Sequence, residues 1–422
     1  AAAKAAGASD DDLPDALVQK TITFPASPLT RINVMVLSPQ ASEALGLRAV
    51  PLGELLTVEK PANPVDAPSF QTTIARQVPG ASAQAADALG IEAGAAQVLL
   101  ILVDGLGYEL IQEYAGHTPT LRRLRGDMRS IHTVVPSTTA AAITAFGTGA
   151  RPGATNMVGF SVAYGGGVMN LLAMEGGPAP TEWQPAPTYF ERLAAVGVSS
   201  AVVSPARFAG SGLTGAALRG ARHVPAETLD ERVSAALREL RAGTPVVYLY
   251  WSEIDHAGHG SGVGSDSWIG GLEEFDAGIA RLLRSLPAGV RTVMTADHGM
   301  INVDASQIVD VASTPALRDG VRIVAGETRA AHVHAEEGCA GQVEARWRDV
   351  LGESAWIVSG ETLRALIGPG DGASIIGDFL VLARGRGGVV DSRTQSASAI
   401  AMPGVHGSLT STEMRIPVIV MS

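Results

Sequence analysis

The sequence predicts an α/β fold in which a mostly parallel central sheet is covered by helices on both faces. The first observation is a set of short, β-branched apolar runs, which are typical of strands buried on both faces. These runs are QVLLILV (97–103), SAVVSP (200–205), TPVVYLYW (244–251), VRTVMTA (290–296) and IPVIVM (416–421). The second is that amphipathic stretches such as TLDERVSAALRELRAG lie between them, with apolar residues three and four positions apart. Strands that alternate with helices favour a parallel sheet.

Length and charge narrow the class of protein. A chain of 422 residues exceeds the size at which one core stops growing, and it contains 46% hydrophobic and 17% charged residues, as a globular protein does. A formal net charge of −11 argues against a stable nucleic-acid partner, which needs clustered Lys and Arg. No run approaches the roughly 18 apolar residues of a membrane-spanning helix, so no membrane partner is expected. The single cysteine, Cys339, excludes an internal disulfide and a Cys-rich zinc module.

The predicted domain organisation has three parts. Residues 1–66 are expected to be an N-terminal extension that is partly mobile. Residues 67–310 and 391–422 are expected to form the catalytic α/β domain. Residues 311–390 are expected to form an inserted α+β cap subdomain, because segments such as RAAHVHAEEG and DFLVLARG depart from the earlier alternation of buried strands and amphipathic helices. In this insert, His332 and His334 are expected at the surface. The first residues lack a signal peptide's apolar centre, which favours the cytoplasm, although they also lack an initiator Met, as a processed chain would.

Acidic and imidazole side chains follow the predicted strands where each one ends. Asp104 follows the first run, Asp297 and His298 follow VRTVMTA, and His406 precedes the last strand. TPVVYLYW leads into SEIDHAGHG, where Asp255 and His259 would share one face of a helix. An Asp in such a place is also a common helix cap, and a lone His is often incidental. Because ligands collect beyond the carboxyl ends of parallel strands, we expect these side chains to meet.

Together these residues are three Asp and three His, which are ligands that suit zinc. Two zinc ions roughly 4 Å apart would form a clamp for displacement at phosphorus. A nucleophile is then expected nearby. The segment VVPSTTAAAITAFGTG places Ser137, Thr138 and Thr139 at the start of an Ala-rich helix. Hydroxyls there are usually caps, but a helix N-terminus also favours alkoxide and phosphate.

These motifs, in this order, resemble those of the alkaline phosphatase superfamily, and the branch they resemble most is the type I phosphodiesterase/nucleotide pyrophosphatase group. They are ILVDGLG, PSTTAAAITAFGTG with ARPG, EIDHAGH, TADHGM and VHGS. In that family the nucleophilic Thr lies ten residues before the Gly of a T-G pair, and counting back from Gly149 selects Thr139. The resemblance implies two Zn²⁺ ions, with one ligand set of Asp104, Thr139, Asp297 and His298 and another of Asp255, His259 and His406.

The function implied by this resemblance is hydrolysis of phosphodiester or nucleotide pyrophosphate-type bonds in a small phosphorylated substrate. It would proceed through a phosphothreonine intermediate, with retention of configuration at phosphorus. Many phosphodiesterase members have an Asn twenty-one residues after the nucleophile, where this chain has Phe160. Asn156 is a candidate replacement, and Asn156 and Phe160 are the candidate substrate contacts. The alternatives are a phosphonate or phosphomonoester hydrolase with the same metal pair, or a non-catalytic zinc-stabilised module that binds a phospho-ligand. The sequence does not indicate the oligomeric state.

Overall fold

The computed structural model describes residues 97–421 in full and, before them, only the backbone of two strands. These strands, Leu17–Thr23 and Arg31–Leu37, pair antiparallel. The rest of the predicted N-terminal extension lies outside the described residues. Among the described residues, no helix is both long and apolar enough to cross a membrane.

The described strands are numbered in chain order. They are β1 (Leu17–Thr23), β2 (Arg31–Leu37), β3 (Gln97–Val103), β4 (Met128–His132), β5 (Ser161–Tyr164), β6 (Gly167–Asn170), β7 (Ser200–Ser204), β8 (Arg222–Pro225), β9 (Val246–Trp251), β10 (Val290–Ala296), β11 (Ile301–Asn302), β12 (Ile308–Asp310), β13 (Val321–Glu327), β14 (Ala330–Ala335), β15 (Ala355–Ser359), β16 (Phe379–Ala383), β17 (Gly388–Val390), β18 (Gly404–Val405) and β19 (Arg415–Met421).

The α-helices of the same part of the chain are mostly short. They are Tyr108–Glu113, Pro119–Arg123, Thr139–Thr148, Pro152–Thr155, Pro180–Trp183, Tyr189–Ala195, Gly212–Ala217, Leu229–Arg241, Glu253–Ser261, Asp266–Ser285, Pro315–Arg318, Ala340–Leu351, Gly360–Ile367, Gly372–Ile376, Ala397–Ile400 and Ser411–Met414.

The central sheet has seven strands in the order β4-β19-β10-β3-β9-β7-β8. The five strands from β10 to β8 run parallel, whereas β19 lies antiparallel between β10 and β4. The predicted α/β class is thus confirmed. Val103 at the end of β3 pairs with Ala296 of β10 and Trp251 of β9, so these three strands end in register. The residues that follow them therefore emerge at one edge of the sheet.

Alternate residues of β3 pack into different layers. Leu99, Ile101 and Val103 contact one core that contains Leu237 and Phe275 from two long amphipathic helices. Val98, Leu100 and Leu102 contact the opposite core, which includes residues of the helix Thr139–Thr148 and the helix Tyr189–Ala195. Because successive side chains of a strand point to opposite faces, an unbroken apolar run is what such a strand requires.

A second, antiparallel sheet lies within the range predicted to be inserted, with the order β13-β14-β16-β15. The helix Ala340–Leu351 covers it through Val343 and Trp347. The expectation that His332 and His334 lie at the surface is wrong, because their exposed fractions are 0% and 7% and the face of β14 that bears them is covered, with His332 packed against Gly159 and His334 against Gly377. Glu327, the last residue of β13, contacts Thr138, which precedes the helix Thr139–Thr148. The division of the chain into domains stays a prediction.

Candidate active site

The strand-end residues gather at the carboxyl edge of the central sheet. Asp104 directly follows β3, and Asp297 and His298 directly follow β10. The helix Glu253–Ser261 follows β9, and its pitch puts Asp255 and His259 on one face, with Asp255 Oδ2 at 3.2 Å from His259 Nε2. The isolated bridge between Ser137 and Gly407 holds the loop that carries His406 beside the nucleophile segment.

Each aspartate has a buried carboxyl oxygen without a hydrogen-bond partner. Asp104 accepts a hydrogen bond from the Tyr250 hydroxyl through Oδ2, and Oδ1 is unpartnered. Asp297 accepts from the backbone N–H of Gly105 at 3.1 Å through Oδ1, which leaves Oδ2 unpartnered. Oδ1 of Asp255 is also unpartnered. Buried carboxylate oxygens are costly unless paired, so three of them together fit a bound cation.

The three histidines are oriented in the same way. Nδ1 of His298, His259 and His406 lies 3.0, 2.8 and 3.0 Å from the backbone oxygens of Gly299, Gly404 and Ser137. A carbonyl oxygen can only accept a hydrogen bond, so Nδ1 carries the proton in each neutral ring. Nε2 therefore keeps its lone pair toward the site. Metal-ligating histidines usually have this arrangement, in which the second nitrogen fixes the ring.

The ligand atoms of these residues form two adjoining groups, Asp104-Asp297-His298 and Asp255-His298-His406, whose members lie within 4.8 Å of one another. His298 Nε2 is 3.4 Å from an oxygen of both Asp104 and Asp297. The rings of His298 and His406 stack with centroids 3.6 Å apart. The second group shares His298 with the first, and His259 adjoins it, with its ring centroid 5.1 Å from that of His406. His259 also contacts Oδ2 of Asp255.

Burial and mutual repulsion perturb these acids. Burial, with the charges of Asp297 and Asp255, raises the pKa of Asp104 well above its usual range. Burial also raises the pKa of Asp297. Burial acts the same way on Asp255, but its pairing with His259 outweighs burial and holds that pKa below its ordinary value. Carboxyl groups that resist ionisation when no cation is near are suited to hold one.

Thr139 lies at the first position of its helix, and its Oγ1 is 3.1 Å from His298 Nε2. Since that nitrogen has a free lone pair, the Thr139 hydroxyl donates to it. The hydroxyls of its two neighbours were possible caps, but neither caps the helix. Ser137 Oγ donates to the Ser408 carbonyl, and Thr138 Oγ1 donates to Glu327 Oε2 at 2.8 Å.

The two predicted substrate contacts differ in position. Phe160 is 39% exposed and lines the cavity above the site. The expectation that Asn156 contacts the substrate is corrected, because Asn156 does not line this cavity. Its Nδ2 donates to the Trp183 carbonyl at 3.0 Å, and its backbone carbonyl accepts from Trp183 Nε1. This segment turns back on itself at Asn156, whose φ is 62°, and so directs the amide away from the metal groups.

Sequence reasoning missed Glu327. Its Oε1 is buried without a partner, as in the three aspartates, and its Oε2 lies 3.9 Å from His406 Nδ1. Burial raises the pKa of Glu327 to about 8. Its position on a separate sheet, far along the chain, left no local signal. The contact of the Tyr250 hydroxyl with Asp104 likewise depends on the fold, which brings β9 beside β3.

Glu253 fixes the start of the helix that bears Asp255 and His259. Its carboxylate receives two bonds from Arg232, which has no exposed surface, and the Arg232 guanidinium lies over the Trp251 ring, 4.7 Å from its centroid. Glu253 therefore orients the helix through a buried arginine, although its own side chain is 37% exposed.

A single cavity of about 870 Å³ opens above these groups. Its walls include Thr139, Asp104, Asp255 and His406 on one side and residues of the second sheet, such as Glu327, on another. Cavities of this size hold ligands much larger than phosphate. The site can thus combine metal ligands, a hydroxyl nucleophile and space for a substantial organic group.

The sequence pattern of the type I phosphodiesterase/nucleotide pyrophosphatase family matches residues 98–408, which is well over half of the chain. The chain belongs to that family. It is a metal-dependent hydrolase of the phosphodiesterase class, and its substrates are small phosphorylated molecules. No curated protein sequence matches the chain.

Solved structures agree with this fold. Phosphonoacetate hydrolase from Sinorhizobium meliloti, in complex with phosphonoformate, is 20% identical, with a TM-score of 0.61 over 77% of this chain and 89% of that chain. Murine ectonucleotide pyrophosphatase/phosphodiesterase 5 is 15% identical, with a TM-score of 0.62 over 76% of this chain and 87% of that chain. Both structures share the fold of this chain, and the family that the sequence motifs predicted is confirmed by the family match.

Proposed function

We propose that this family member hydrolyses phosphodiester or nucleotide pyrophosphate-type bonds with two zinc ions, through a covalent phosphothreonine at Thr139. The observation that carries the proposal is the short contact between Thr139 Oγ1 and His298 Nε2, 3.1 Å, among carboxylates with unpartnered oxygens. A hydroxyl held there lies against both candidate metal groups and at the start of a helix. Thr139 is the first helical residue and not the N-cap, so capping does not explain its position.

Asp104, Asp297 and His298 would hold one zinc ion, and Asp255, His259 and His406 the other. Their oxygen and imidazole donors suit zinc. Bound metal would lower the pKa of the Thr139 hydroxyl and neutralise charge that develops on the phosphoryl oxygens.

The residues of the chain supply the rest of the reaction. Thr139 Oγ1 attacks phosphorus and the alcohol or phosphate leaving group departs with its bonding electrons. Water then cleaves the phosphothreonine ester and restores the hydroxyl. The N-terminus of the helix Thr139–Thr148 favours negative charge at Oγ1 and on the transferred phosphoryl group. Two inversions at phosphorus give net retention of configuration.

The decisive experiment replaces the nucleophile. Thr139→Ala should abolish hydrolysis of bis-p-nitrophenyl phosphate while its metal content, measured by atomic emission, stays at about two zinc per chain. Thr139→Ser should retain activity, because it keeps a hydroxyl. An alanine variant that keeps more than about a tenth of the parent rate would exclude Thr139 as nucleophile.

A substrate panel separates the alternatives. It should contain bis-p-nitrophenyl phosphate, p-nitrophenyl phosphate, a nucleoside triphosphate and phosphonoacetate. We expect the diester or the triphosphate to have the highest kcat/KM. A preference for the monoester or the phosphonate would reassign the reaction, and zinc binding without any turnover would favour the non-catalytic module.

A further inference from the structure

The wall of the cavity beside the nucleophile is apolar where a diesterase would often present an amide donor. Phe160 and Val168, 39% and 37% exposed, both line the cavity with Leu172 and Leu213. We name these four residues the apolar wall. In the described residues, only three other large hydrophobic side chains are as exposed. Exposed apolar groups collected inside a cavity, rather than scattered singly, are typical of a ligand contact.

The backbone that carries the apolar wall is fixed. The Phe160 carbonyl accepts from Leu171 N at 2.9 Å, and Ser161 Oγ donates to the Gly326 carbonyl at 2.7 Å. Leu213 N donates to the Leu172 carbonyl at 2.9 Å, which joins the two halves of the wall. Exposure of Phe160 therefore does not come from an unanchored loop, and the side chain is held toward the cavity.

The volume of the cavity indicates what would cover this wall. A phosphoryl group fills a small part of about 870 Å³, and Thr139 lines the same continuous space as Phe160. A substrate bound at phosphorus would extend an ester substituent over the apolar wall and remove apolar surface from water.

We infer that the preferred substrates are phosphodiesters in which one ester group is large and apolar, seated against Phe160, Val168, Leu172 and Leu213. This inference rests on the proposed function and narrows it. Phe160 stands where many family members have an Asn that donates to a phosphoryl oxygen. In this chain that position would instead contact the ester group and select for apolar ones.

The test uses a series of p-nitrophenyl phosphodiesters whose second ester group is methyl, butyl or octyl, so that the leaving group stays constant. Each methylene fully removed from water is worth about 0.8 kcal/mol, or about fourfold. We expect kcat/KM of the zinc-loaded protein to rise by about tenfold or more from methyl to butyl. Phe160→Ala and Val168→Ala should each reduce that rise. Both side chains are exposed, so neither change removes core packing.

Val350→Ala is the matched control, because Val350 is 42% exposed on the helix Ala340–Leu351 and does not line the cavity. It should leave the chain-length dependence unchanged. Three outcomes would overturn the inference. They are a kcat/KM that does not change with chain length, a rise that the two alanine variants do not alter, and a higher kcat/KM for the p-nitrophenyl ester of thymidine 5′-phosphate than for the octyl ester.

Calorimetry keeps this inference separate from the proposed function. Butyl phosphate should bind the zinc-loaded Thr139→Ala variant about tenfold more tightly than methyl phosphate, with a more negative heat-capacity change. If no ester is hydrolysed, the proposed function fails, but the two affinities still show whether the apolar wall binds an alkyl group. Equal affinities would refute it.

Discussion

Replacing Arg329 by Met should destabilise the protein far more than replacing an exposed arginine. Arg329 and Glu413 have no exposed surface, and Arg329 binds the carboxylate twice, with Nε–Oε1 at 3.1 Å and Nη2–Oε2 at 2.8 Å. Removing one partner of such a pair leaves a buried charge, which costs about 3–5 kcal/mol. The exposed pair Arg348–Glu344, whose side chains are 45% and 23% exposed, should contribute at most about 1 kcal/mol.

The assay is urea unfolding of the metal-free protein. Arg329→Met should lower the free energy of unfolding by at least about 2 kcal/mol more than Arg348→Met does. Adding Glu413→Gln to Arg329→Met should recover part of the loss, because no unpaired charge then remains. Equal effects of the two arginine variants would refute the reasoning. Zinc affinity should also fall in Arg329→Met, since Glu413 accepts from Ser408 N, next to the loop of His406.

Two further predictions concern single groups. Tyr250→Phe removes the hydroxyl that donates to Asp104, and zinc affinity, measured by competition with a chelator, should fall about 10- to 100-fold. Tyr248→Phe is the control, because the Tyr248 hydroxyl is buried without a partner, so an unchanged affinity in both variants would exclude the role of Tyr250. Burial lowers the pKa of His332 to about 3 from 6.5, so the unfolded chain takes up a proton that the folded chain does not. The free energy of unfolding therefore decreases as pH falls below about 6.5, by up to about 1.4 kcal/mol for each pH unit. In unfolding titrations between pH 7 and pH 5, His332→Leu should lose less stability than the parent protein. Parallel curves for the two proteins would contradict this prediction.

The edge of the sheet where the site forms could be predicted because it depends on local patterns. An apolar run buried on both faces identifies a strand, and neighbouring parallel strands end at one edge. Asp104 and Asp297 follow β3 and β10, which pair in register, and for this reason their meeting needed no knowledge of distant contacts. The spacing of Asp255 and His259 likewise follows from helical pitch once the segment is a helix.

The second sheet and its contacts could not be predicted in this way. Glu327 reaches Thr138 across 189 positions of sequence, and nothing next to it in the chain distinguishes it from a surface acid. His332 and His334 alternate as in a half-exposed strand, and only the segments that pack on their face of the sheet, at Gly159 and Gly377, bury them. Asn156 has an amide that could donate to a phosphoryl oxygen, but the turn at this residue directs it to Trp183 and away from the site.

The sequence by itself determined the class of fold, the strand-end acids and histidines, and the hydroxyl at the helix start. Periodicity and spacing fix these features over a few residues. The tertiary structure alone decided which buried oxygens lack partners, which tautomer each histidine adopts, and which side chains line the cavity. Those properties depend on what surrounds a group in space, and burial changes the free energy of a polar or charged group more than its neighbours in the chain do.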